Sequence, residues 1–165
     1  MSYKKIYQDL IKKVLELSKV YYQNRLVSFA IFGSVARDSF RPDSDIDILI
    51  VAEKLPKGRV KRVEEFEKNI ERKLEFELKA LYKKGIYPYF SPIFKTKEEV
   101  LRGSWLFLDM VFDAKILYDK DDFFKNFLFS LKEKLKKIGA KRIFKGNAWY
   151  WVLKPDYKVG DIIDI

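Results

Sequence analysis

The chain has 165 residues, 48% of them hydrophobic and 16% aromatic, with 34 Lys+Arg against 24 Asp+Glu, a formal net charge of +10, and neither Cys nor His. A chain of this length buries enough surface to hold one core without disulfides or structural zinc. Missing thiols and imidazoles exclude a thiolate or imidazole nucleophile or base, a Ser-His-Asp triad and any His- or Cys-ligated metal, so a bound metal must be held by oxygen.

From Tyr3 to about Tyr22, apolar residues recur at spacings of three and four (Ile6, Tyr7, Leu10, Ile11, Val14, Leu17), which predicts an amphipathic helix. Leu26 to Phe32 and Ile46 to Val51 are short runs rich in β-formers, the first stopped by Gly33, and both predict buried strands. Arg59 to about Lys84 carries one apolar stripe (Val63, Phe66, Ile70, Leu74, Leu78, Leu81) and predicts a single long helix ended by Gly85. Ile86 to Phe94 reads as extended, and its Pro88 and Pro92 argue for an edge position or an irregular strand. Helical pattern resumes at Lys97, a short strand is predicted over Lys115 to Tyr118, and a helix over Asp121 to Ile138. Asn147 to Leu153 is an aromatic strand whose alternation sends Trp149 and Trp151 to one face. The order implies an α/β (α+β) fold around a small mixed sheet, in one domain spanning 1–165, with a motif core at about 26–94 and a C-terminal extension at about 95–165.

The informative stretch is Gly33-Ser34 followed by Ser44-Asp45-Ile46-Asp47, lying between the two strands. Asp45 and Asp47 stand at i and i+2, so a strand projects both carboxylates from one face about 7 Å apart between Cα atoms. Two such charges at the head of an apolar strand call for a hard divalent cation with oxygen ligands. Gly33 and Ser34 sit at the junction of strand and short helix, where N–H groups converge on an anion, and Arg37 adds a fixed charge nearby.

This stretch resembles the signature of the DNA polymerase β-like nucleotidyltransferases, in the form carried by the minimal nucleotidyltransferases: Gly-Ser, ten residues (Val35 to Ser44), then Asp-x-Asp. The match covers about residues 26 to 52. The resemblance implies a nucleotidyltransferase fold and Mg²⁺-dependent transfer of a nucleoside monophosphate, AMP from ATP first among them, onto a hydroxyl. Two magnesium ions, or manganese in their place, would sit at the carboxylates. It further implies that Asp45 and Asp47 are catalytic and metal-binding, that Gly33 and Ser34 hold the β,γ-phosphates, and that Arg37 and Ser44 complete the substrate-binding set. Many minimal nucleotidyltransferases resemble antitoxins whose separate partner is a HEPN-type toxin carrying the acceptor tyrosine.

The family's third carboxylate, expected on a strand facing the pair, is not evident. Ile86 to Phe94 offers Tyr89 and Ser91 at the alternating positions, leaving Asp109 and Asp113 as later candidates, with Asp113 equally readable as a cap or ion-pair partner. Its absence supports an alternative: a nucleotidyltransferase-fold module that is catalytically weak or inactive and acts through a partner protein or RNA. The basic residues Lys125, Lys132, Lys134, Lys136, Lys137, Lys141, Arg142 and Lys145 form at most an electrostatic footprint for nucleic acid, and a Lys/Glu-rich thermophile surface reads equally well. No apolar run is long enough to span a membrane and no signal peptide is visible, so a cytoplasmic protein is expected.

Overall fold

The computed structural model describes residues 1–165, and its framework is a mixed sheet, as the sequence implies, of four strands. β1 (Leu26–Phe32) and β2 (Asp45–Ala52) pair antiparallel, β2 and β3 (Tyr89–Lys95) pair parallel, and β4 (Lys115–Asp119) lies antiparallel on the far side of β1. The order β3-β2-β1-β4 makes β2 an interior strand and β3 an edge. Pro92 at that edge follows from its missing N–H.

Alternation along β2 divides the core. Ile46, Ile48 and Ile50 face α1 (Tyr3–Tyr22), α3 (Arg59–Asn69) and α4 (Glu75–Tyr82), where they meet Leu10, Val14, Phe66, Leu78 and Phe90. Leu49 and Val51 face the other way, onto α5 (Lys97–Leu101), α6 (Leu106–Asp113) and α7 (Phe123–Lys137) through Val100, Phe107, Phe124 and Leu131. Each such side chain, buried from water, contributes about 1.5–3 kcal/mol. The same alternation continues to the start of β2, so Asp45 and Asp47 emerge on the Leu49 face.

Three predicted helices differ in detail. The helix expected over Arg59 to Lys84 is two helices joined by a 3₁₀ turn at Glu71–Leu74, because the Asn69 amide donates to the Glu65 carbonyl (2.8 Å) and Ile70 leaves helical geometry (φ −125°, ψ −63°). The helical stretch from Lys97 is interrupted by Gly103, at φ 79°, and resumes as α6. α7 begins at Phe123 rather than Asp121, and its cap is Asp119, whose carboxylate accepts the N–H groups of Phe124 and Lys125 (3.0 and 2.9 Å) and the hydroxyl of buried Ser28 (2.6 Å).

β5 (Lys141–Lys145) pairs with β6 (Ala148–Val152) as a hairpin separate from the main sheet. Sequence pattern finds β6 and misses β5, whose basic residues read only as charge following the helix. No helix is long and apolar enough to cross a membrane.

Candidate active site

The site forms where β1 ends and β2 begins. Phe32 is the register partner of Asp47, so the chain leaving β1 turns directly beneath that carboxylate. Gly33 makes the turn at φ 70°, a backbone region that costs a residue with a Cβ about 1–2 kcal/mol. Space imposes a stronger restriction. A Cβ at Gly33 would fall on Oδ2 of Asp47 and lie 3.1 Å from its Cγ, so only glycine lets the carboxylate rest there. Ser34 follows in the one-turn helix α2 (Gly33–Ala36), whose first N–H groups have no partner within the helix.

The loop between the two halves of the motif is held by α1. Tyr3 donates its hydroxyl to the carbonyl of Phe40 (3.0 Å) and Tyr7 donates to the carbonyl of Ser44 (2.8 Å), one residue before Asp45. Burial, reinforced by the charges of Asp43 and Asp45, pushes the Tyr7 hydroxyl up to about 12, so it stays a donor. The Ser44 hydroxyl accepts the N–H of Arg41 (2.9 Å) and so closes the turn that delivers Asp45, which leaves it a loop-shaping position.

Asp45 is exposed and Asp47 half-buried. The ion pairs around them go to other acids: Arg41 to Asp43, Arg37 to Asp113. Burial raises Asp47 above the ordinary carboxylate range; the Ser91 hydroxyl opposes the shift, Asp45 adds to it, and Arg37 opposes it. An unpaired, partly desolvated carboxylate beside a second one is a cation-binding arrangement, and its oxygen donors suit Mg²⁺ or Mn²⁺. No third Asp, Glu, His or Cys joins the pair. Across the parallel register Asp45 faces Tyr89 and Asp47 faces Ser91, so a hydroxyl stands where a third carboxylate would be expected.

Neither later candidate fills that place. Asp113, only 8% exposed, accepts two hydrogen bonds from Arg142 (2.9 and 3.3 Å) and a longer one from Arg37 (3.4 Å), so it is an ion-pair partner. Asp109 accepts the indole N–H groups of Trp149 and Trp151 (2.8 and 2.9 Å). The two tryptophans share a face, as alternation predicts, and bind the hairpin to α6. The face of Trp149 is covered by Arg37 and Arg142 (4.6 and 5.3 Å from guanidinium carbon to ring centre), which leaves it unsuited to base stacking. A cleft of about 900 Å³ is lined by residues of α5, α7 and the C-terminus and shares none with the carboxylate pair.

A mixed sheet with a glycine-serine turn under an Asp-x-Asp pair is the framework of nucleotidyl transfer. The family profile of the nucleotidyltransferase domain matches residues 8–118, two thirds of the chain. Over 161 residues the chain is 31% identical to MJ1305 of Methanocaldococcus jannaschii, which carries a provisional description as a protein adenylyltransferase; the alignment covers 96% of this chain and 98% of that one. The chain therefore belongs to the nucleotidyltransferase family and is a nucleotidyltransferase enzyme. Two crystal structures share the fold. One is a toxin-antitoxin with AMP-PNP (TM-score 0.50, 20% identity, 77% of this chain and 90% of that one). The other is the spectinomycin adenyltransferase AAD(9) from Enterococcus faecialis with ATP and spectinomycin (TM-score 0.51, 15% identity, 72% of this chain and 58% of that one).

Proposed function

We propose that the chain transfers AMP from ATP onto a hydroxyl of a separate protein and releases pyrophosphate. The observation that carries this reading is the Asp47 carboxylate resting against Gly33, with Asp45 on the same face of β2 and the nearby arginines Arg37 and Arg41 ion-paired with other acids. The description of MJ1305 supports a protein acceptor, and a HEPN-type toxin is the partner class we favour. Magnesium bound between the carboxylates would neutralise phosphate charge and polarise the α-phosphate. Asp45 and Asp47 would hold it, with Ser91 as a weak neutral neighbour; this donor set suits one ion, and a second would depend on ligands from the substrates. Gly33 and Ser34 offer N–H groups and a hydroxyl to the β,γ-phosphates, Arg37 a guanidinium to a neighbouring phosphate, and Ser44 keeps Asp45 in place. Positioning and charge neutralisation suffice for this chemistry, so the absence of His and Cys is no obstacle.

Ser91 in place of an acid favours a second reading: a module that binds nucleotide and docks on its partner with little turnover. Incubation with ATP labelled at the α-phosphate, Mg²⁺ and the proteins of the source cell separates the two. Transfer of label to a polypeptide, lost in Asp45→Asn and Asp47→Asn, is the expected result. Metal-dependent nucleotide binding without transfer would establish the second reading, and failure to bind nucleotide would remove both.

A further inference from the structure

The family match ends at residue 118, yet the hairpin that follows reaches back to the loop of the site. Arg37 leaves α2 directly after the glycine-serine turn. Its guanidinium lies 4.6 Å from the ring centre of Trp149, while its contact with Asp113 is long, at 3.4 Å. Asp113 is already satisfied by Arg142, which is 13% exposed and also lies over Phe112 and Phe144 (5.0 and 4.9 Å). Asp109, one turn earlier on α6, fixes the Trp149 ring through its indole N–H. The ring beneath Arg37 therefore cannot turn away, and Arg37 is aligned by stacking rather than consumed by a short ion pair.

A free arginine loses about 2 kcal/mol of rotamer entropy when it is fixed on a ligand. A guanidinium already held against an aromatic face has lost most of that freedom before the ligand arrives, and its planar fork keeps N–H groups for a phosphate. We propose that the C-terminal hairpin is part of the nucleotide site: Trp149 and Arg142 are positioning residues that hold Arg37 over the mouth of the Gly33–Asp47 site, where it meets a phosphate of the bound nucleoside triphosphate. The proposal rests on the nucleotide-binding reading given above.

Calorimetric titration of the full chain with α,β-methylene-ATP and Mg²⁺ tests it, since that analogue cannot give up its AMP. Trp149→Ala and Arg142→Ala should each weaken binding about five- to tenfold through lost preorganisation, approaching Arg37→Ala. Trp149→Phe, which keeps an aromatic face but loses the hydrogen bond to Asp109, should bind more tightly than Trp149→Ala and less tightly than the native chain. Tyr150→Ala, on the opposite and exposed face of the hairpin, should leave affinity unchanged. Near-native affinity in Trp149→Ala and Arg142→Ala alongside a weakened Arg37→Ala would overturn the role of the hairpin alone. No binding by the native chain would overturn the nucleotide reading on which it rests.

Discussion

Ionised Asp47 is a burden on the fold that the site requires. Its carboxyl titrates above the usual value of 3.8, chiefly because it is partly buried, so the folded chain holds the proton more tightly than the unfolded chain does. Stability then falls as pH rises from about 4 through the folded pKa and stays lower above it. Asp47→Asn should accordingly raise stability and Tm at pH 7 while abolishing transfer; the advantage should shrink as pH approaches 4. Thermal scans from pH 4 to 8 read this directly. At this scale the sequence is explicit about Gly33, Ser34, Asp45 and Asp47, because their spacing and flanking strands are local. It names Asp109 and Asp113, and offers an ion pair as one reading of Asp113, but not their partners Trp149, Trp151 and Arg142, which lie about 30 to 40 positions away and are met only after the hairpin folds back.

Among the elements, α5 has only five residues and its start is held from two sides. Thr96 and Glu99 form a capping box, in which Thr96 Oγ1 accepts the Glu99 N–H (3.2 Å) and Glu99 accepts the Thr96 N–H (2.9 Å). Arg62 of α3 grips the same carboxylate with two hydrogen bonds (2.7 and 3.0 Å) and donates to the carbonyls of Pro56 and Phe94. The hydrogen bonds from Arg62, ahead of smaller contributions from Thr96, hold Glu99 below the ordinary glutamate value of 4.5. This stabilisation is present in full above about pH 4.5 and is lost as pH falls through the lowered value. Glu99→Gln should cost about 1–2 kcal/mol at pH 7, allowing for partial exposure, and should flatten the acid limb of the stability profile in denaturant titrations. Strands β1, β2 and β4 and helix α1 are legible because their periodicity is strong and uninterrupted. The break after Asn69 is not, since Phe66, Ile70, Leu74 and Leu78 keep one spacing across it. β5 is hidden for a different reason: its Lys141, Arg142 and Lys145 carry no strand alternation that a basic helix end would lack.

The whole molecule depends on residues beyond the span that defines its family. Val27, Ala30, Leu49 and Val51 on one face of the sheet are covered by Phe107 and by Phe124, Leu128, Leu131 and Leu135 of α6 and α7. A chain ended after Asp122 would retain every residue of the signature and uncover that face. It should be recovered as an aggregated or loosely packed species, as ultracentrifugation and near-ultraviolet dichroism would show, because removing several large core side chains at about 2–5 kcal/mol each exceeds the stability of an ordinary domain. A chain ended after Ile138 keeps α7 and loses the hairpin and the tail after it, so it should remain folded but less stable, having lost Trp151, Leu153 and Ile165 from the edge of that core and Arg142 from Asp113. The contact between Gly33 and Asp47 has a consequence for how the signature is inherited. Two letters set well apart in the text of the chain are a single touching pair in space, so the motif records one distance rather than two separate preferences. A lineage that replaces the glycine forces the Asp47 carboxylate out of its present position, so the two letters answer to one constraint.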